Sequence, residues 1–223
     1  STSIRDNYFR GMDNVMALGD PRMDNYPAHQ VKEVNRDTPT IVIGASGFNS
    51  VDLNSYVAVE FDFMYDVLNA LISFNKENEI NVIIKVRPNG YAEQYTKMVN
   101  QYFSRLGVSI VANKPMKDVL SQADLYLSIY SQTLFEASCL GIPVIYYKKD
   151  SEVTNAPFDG KSELVTASNP QDLIQALNDF KIEHVRFDKF LDRKVMEKYV
   201  GPMDGKNRER NLDFIDALLS KGG

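Results

Sequence analysis

Ser131, Gln132, Thr133 and Glu136 place two hydroxyls, an amide and a carboxylate within a few residues at the head of the run Ser-Gln-Thr-Leu-Phe-Glu-Ala-Ser-Cys-Leu-Gly-Ile-Pro-Val-Ile, residues 131–145. An apolar run at 125–129 precedes it and another at 144–147 follows. The segment therefore reads as strand, polar turn, short helix, glycine stop and strand. A helix entered in this way directs backbone N–H groups and the positive end of its dipole at the carboxyl edge of a parallel sheet, where an anion can sit. The same residues also support a purely structural reading. Thr133 and Glu136 have the spacing of a capping box, and Gly141-Ile142-Pro143 is an ordinary way to stop a helix.

Three other strand ends carry residues suited to a ligand. Gly44-Ala45-Ser46-Gly47 is a loop of small residues that lets backbone approach a bound group, without the full spacing of a dinucleotide fingerprint. Lys85 and Arg87 flank Val86 just before Pro88, and strand alternation puts both cations on one side, where they could clamp a phosphate or carboxylate or be solvated edge charges. Lys114 lies in Asn113-Lys114-Pro115-Met116, a helix start that could also touch a ligand's base or ribose. No metal site is predicted, because Asp62 and Asp204 are isolated and no Asp-x-Asp pair stands at a strand end. His29 and His184 lie in polar surroundings and read as surface residues.

The elements that must position these groups alternate along the chain. Strands are predicted at 15–18, 40–44, 81–86, 108–111, 125–129, 144–147 and 163–166. Helices are predicted at 61–74, at 92–106 with Gly107 as its stop, at 115–122, after Ser131, and at 169–180 with Pro170 in the first turn. Residues 20–39 read as loop with one brief helix, and 187–219 as helices packed outside the sheet. Short apolar strands alternating with helices predict an α/β fold, a Rossmann-like doubly wound parallel sheet with extra terminal helices. The expected divisions are a linker-like segment at 1–37, a nucleotide-binding domain at 38–180, and terminal helices packing on it at 181–223.

Composition narrows the partners. With 223 residues, 43% hydrophobic and 25% charged, the chain can bury a full core. Its formal charge of −5 argues against a nucleic-acid binder, so any anion needs a local site. The single cysteine, Cys139, reads as a buried thiol in a reducing cytoplasm. No apolar run is long enough for a membrane span, which leaves a soluble protein able to work at the inner face of a membrane.

As an ordered set, Asp118-Val119-Leu120, Ala123-Asp124-Leu125, Ser131 to Ala137 and Gly141 to Ile145 resemble the carboxyl-terminal, donor-binding half of glycosyltransferases with the two-Rossmann GT-B fold. The nearest branch is that of the bacterial surface-polysaccharide enzymes, including CDP-glycerol glycerophosphotransferases and transferases that use CMP-linked acidic sugars. Gly19-Asp20-Pro21-Arg22-Met23-Asp24 is similar to the segment joining the two halves, and Asp204-Gly205-Lys206-Asn207-Arg208 to the start of the closing helix.

The resemblance implies a nucleotide-activated sugar or polyol, CMP-, CDP- or UDP-linked, as substrate, with no further cofactor. Its phosphate would meet the helix start at Ser131, and its ribose a carboxylate at Glu136's place. A glycan acceptor would be held by an amino-terminal half that these residues do not supply, so the isolated chain is expected to bind nucleotide without transfer. Many relatives carry Lys-x-His-Pro where this chain has Lys85-Val86-Arg87-Pro88, and an arginine can clamp an anion but cannot shuttle a proton. No catalytic residue is assigned. A non-catalytic nucleotide-binding or interaction domain, and a sugar-nucleotide epimerase-like domain, remain the alternatives.

Overall fold

A computed structural model describes residues 1–26, 32–45, 54–149 and 153–221. Six parallel strands form one sheet: β1 (Thr40–Gly44), β2 (Asn81–Lys85), β3 (Val108–Val111), β4 (Leu125–Ser128), β5 (Val144–Tyr147) and β6 (Thr166–Ala167), in the order β3-β2-β1-β4-β5-β6. Chain direction across the sheet reverses between β1 and β4, the switch point at which open α/β sheets leave a crevice. The strands are runs of Ile, Val, Leu and Tyr because both faces are covered.

Alternate side chains divide the core in two. Ile41, Ile43 and Ile84 pack beneath α2 (Asn54–Asn75), α3 (Ala92–Tyr102) and α6 (Pro170–Lys181). Val42, Tyr126 and Val144 pack on the opposite face with α4 (Met116–Leu120), α5 (Thr133–Cys139), α7 (Asp188–Leu191) and α8 (Arg193–Val200). Local chemistry sets the helix ends as the sequence suggests. Asn169 accepts from the Asp172 N–H at 2.9 Å with Pro170 following it, and Asp192 caps Lys194 and Val195.

Several elements differ from expectation, and α2 begins at Asn54 rather than at residue 61. Residues 15–18 form no strand and lead instead to α9 (Asn207–Lys221), where Arg210 Nε donates to Leu18 O at 3.2 Å and Asn211 Nδ2 to Gly19 O at 3.3 Å. α3 ends at Tyr102 rather than Leu106, since a turn sinks Phe103 and Leu106 into the core, at 1% and 2% exposure. β6 begins at Thr166 rather than Glu163, whose carboxylate is held by Lys198 Nζ at 2.7 Å and Tyr199 Oη at 2.6 Å on α8.

The amino-terminal segment lies against the last helices. α1 (Thr2–Tyr8) runs beside α8, and a 3-10 helix, Pro21–Asn25, lies beside α9. Between them Gly19 and Gly201 meet back to back, with φ of +92° and +91°. A Cβ on Gly201 would stand 2.4 Å from Gly19 Cα, and the Asp20 N–H donates to Val200 O at 2.9 Å. Only glycine combines that φ with that approach. No described helix is long and apolar enough to cross a membrane.

Candidate functional site

A cavity of about 420 Å³ opens at the carboxyl ends of β1, β2 and β4. Ala45 forms its floor, Lys85 to Pro88 one wall, Asn113 to Met116 a second, and Ser131 with Thr133 the third. Among the described residues three cations line it, Lys85, Arg87 and Lys114, and no carboxylate does, although the chain carries a net charge of −5. Electrostatics therefore favour an anion here, on a protein that is acidic as a whole.

Lys85 is not the edge charge that strand alternation allows. Its side chain is buried, at 7% exposure, and its Nζ donates to Val86 O at 2.6 Å and to Ala112 O at 2.7 Å. It thereby ties the end of β2 to the segment carrying Asn113 and Lys114. Burial pulls its pKa below the usual lysine value, and among the described residues no carboxylate pairs with it. Arg87, one residue past Val86, is exposed at the rim, as is Lys114.

The turn before α5 differs from both readings of its sequence. Glu136 does not reach back to the helix start, and the N-cap residue is Gln132, with no side-chain capping bond. Glu136 instead accepts a hydrogen bond from Tyr26 Oη, next to the 3-10 helix. Burial and that carboxylate push the Tyr26 phenol pKa up. The early N–H groups of α5 are also engaged, Thr133 N with Ser131 Oγ at 3.3 Å and Leu134 N with Ser131 O at 3.3 Å. What this wall offers the cavity is hydroxyls more than free backbone N–H groups.

Those hydroxyls connect inward. Ser131 Oγ and Thr133 Oγ1 lie 2.7 Å apart, and Thr133 Oγ1 is hydrogen-bonded to Oη of the fully buried Tyr126. Burial pushes the Tyr126 phenol up to about 12, so it keeps its proton. Gly44 serves this tyrosine: a Cβ there would stand 1.9 Å from Tyr126 Oη and 3.2 Å from Ser128 Oγ. Sequence reasoning missed Tyr126, although a hydroxyl inside an apolar strand, two residues from Ser128 on the same face, is a sign of a buried polar partner.

Of the residues singled out from the sequence, Lys85, Arg87, Lys114, Ser131 and Thr133 meet at this cavity. Gly44 lies beneath it against Tyr126, and Glu136 faces Tyr26. Gln132 lines a different cavity, of about 240 Å³, with Tyr8, Tyr130, Phe135, Phe158 and Tyr199. Ser46, Gly47 and His29 fall outside the described residues. His184 is exposed and accepts from the Arg186 N–H at 3.2 Å. Cys139 is buried and its thiol is pushed up to about 12, first by burial and then by Glu136. Among the described residues no group of histidine, cysteine and acidic side chains could hold a metal ion.

No protein-family model matches this sequence, and no curated protein does. Solved structures do match in fold. A UDP-N-acetylglucosamine 2-epimerase superposes with a TM-score of 0.60 at 14% identity, covering 98% of this chain and 55% of its own. The UDP-GlcNAc 2-epimerase from Neisseria meningitidis, bound to UDP-GlcNAc, gives 0.55 at 15% identity, covering 81% and 45%. TarM gives 0.51 at 12% identity, covering 84% and 36%. The chain thus spans about half the length of these proteins or less, and what the likeness shows is its fold, a Rossmann-like α/β unit.

Proposed function

We propose that this chain is the nucleotide-sugar-binding unit of a GT-B-type enzyme, seating the phosphates of a nucleotide-activated sugar or polyol in the cavity at the ends of β1, β2 and β4. The observation that carries the reading is the lining of that cavity, which among the described residues is three cations, two hydroxyls and no carboxylate, at the switch point of a 3-2-1-4-5-6 sheet. Arg87 and Lys114 would clamp phosphoryl oxygens, Ser131 would donate to one, and buried Lys85 would supply a positive field from behind. The ligands named for the solved structures of the same fold, UDP and UDP-sugars, support this assignment.

The finer reading is the donor half of a glycosyltransferase or glycerophosphotransferase of bacterial surface-polysaccharide synthesis, where such a site stabilises the departing nucleotide as charge develops on it. The acceptor and any proton-transfer group would come from a second unit facing the cavity. An epimerase-like role is the second reading, favoured by the epimerases among the structural neighbours. Arg87, in the place where the resemblance expects histidine, favours anion binding over proton transfer.

Calorimetric titration with CMP, CDP, UDP, GDP and uridine tests the reading. Binding of at least one nucleoside diphosphate is expected, weaker in higher salt, with uridine much weaker. Equal affinity for uridine and UDP would remove the phosphate from this site.

A further inference from the structure

The hydroxyl chain behind the cavity has a direction. Tyr126 is fully buried, and its Oη is hydrogen-bonded first to Thr133 Oγ1, with the hydroxyls of Ser128 and Ser131 also within its reach. A buried O–H left without an acceptor is costly, and Thr133 Oγ1 is the oxygen in closest contact, Ser128 Oγ being turned to donate to Gly44 O at 2.9 Å, so we take Tyr126 as donor and Thr133 Oγ1 as acceptor. Thr133 then passes its own proton to Ser131 Oγ, 2.7 Å away. Ser131 Oγ also accepts the Thr133 N–H at 3.3 Å. A hydroxyl has two acceptor positions and one proton, so only the proton of Ser131 is left, on a residue that lines the cavity.

We propose that Tyr126 is a positioning residue that sets this direction, making Ser131 an obligate donor toward an acceptor-only oxygen such as a phosphoryl oxygen. The proposal rests on the anion-binding reading of the cavity and deepens it. A serine free to rotate would accept from a ligand hydroxyl as readily as donate to a phosphate. Held by Tyr126 through Thr133, it prefers the phosphate. Gly44 is the structural condition for this, since any side chain there would collide with Oη.

The test compares the full chain with Tyr126→Phe, Ser131→Ala and the double variant, titrated with inorganic pyrophosphate and separately with UDP. Tyr126→Phe keeps the ring in the core and is expected to weaken pyrophosphate binding by about 3- to 10-fold, the effect of a lost or misdirected hydrogen bond. The double variant should bind no more weakly than Ser131→Ala alone, because Tyr126 acts through Ser131. Unchanged affinity in Tyr126→Phe, or losses that simply add, overturns the proposal. Pyrophosphate binding with the expected loss but no UDP binding upholds it while refuting the nucleotide reading. Binding of neither probe by the unmodified chain overturns both. Should Tyr126→Phe fail to fold, proton NMR of the unmodified chain decides. A slowly exchanging Tyr126 hydroxyl proton close to the Thr133 methyl group supports the chain of donors, and a rapidly exchanging one refutes it.

Discussion

Lys85→Met separates the two roles that a buried cation at this cavity can have. The substitution keeps most of the stem and removes the ammonium, leaving Val86 O and Ala112 O without the donor they have at 2.6 and 2.7 Å. An unmet buried acceptor costs about 1–3 kcal/mol, and loss of the desolvated charge returns part of that, so a net loss of about 2 kcal/mol is expected. For a chain of this size that lowers the thermal midpoint by about 4–8 °C. Circular dichroism melts, with and without saturating pyrophosphate, measure both roles. The unmodified chain should be stabilised by about 2.7 kcal/mol at a hundredfold excess over Kd, and the variant clearly less. The pH dependence has a defined sign. Burial lowers the folded-state pKa of Lys85 below 10.5, so the unfolded chain binds that proton more tightly. The resulting penalty is full below the folded-state pKa and fades as pH rises from there toward 10.5, a limb that Lys85→Met flattens. A variant that melts with the unmodified chain would refute the tie between β2 and the segment carrying Lys114.

Gly44→Ala is expected to destabilise by about 1–2 kcal/mol, overpacking against Tyr126 being partly offset by the stiffer unfolded chain. Combined with Tyr126→Phe it should cost less than the two separate losses, since the closest clash, 1.9 Å to Oη, disappears; strictly additive urea-unfolding energies would refute the contact. Asp204 is held down to about 2, chiefly by Arg210, so its contribution is present above 3.8 and lost as pH falls through about 2. Hydrogen exchange at the start of α9 should rise over that window, and Arg210→Met should weaken the dependence, leaving the part that the Lys206 N–H supplies. Glu136→Gln keeps a partner for Tyr26 and should leave the midpoint nearly unchanged; if the carboxylate also meets ribose hydroxyls, UDP binding weakens while pyrophosphate binding does not. Equal UDP affinity in the two proteins would leave Glu136 a partner of Tyr26 only.

The sheet was legible because its strands are short apolar runs separated by helices of ordinary spacing, and the strand ends could be listed before their neighbours were known. The convergence of Lys85, Arg87, Lys114, Ser131 and Thr133 follows from that arrangement. What could not be read was partnership over distance. Thr133 and Glu136 have the spacing of a capping box, but Tyr26, 110 residues earlier in the chain, takes the carboxylate. Alternation set Lys85 and Arg87 on one side, but β2 ends at Lys85, and nothing in the pattern pointed to Ala112 O, which turns that lysine inward. Gly44 reads as room for a ligand, whereas the atom that needs the room belongs to Tyr126.

The meeting of Gly19 with Gly201 bears on the order of events in folding. All six strands lie within the stretch of chain that this contact closes. Contacts so distant in sequence form after nearer ones have gathered their partners, because the entropy of closing the loop must be met before the contact contributes. The expected order is the sheet first and the clasp last. A side chain at either glycine would leave the sheet complete and the clasp open, with Tyr26 no longer carried to Glu136. The refolding signal of the core would be normal, and a slower or absent phase would appear only in probes placed on the first 26 residues.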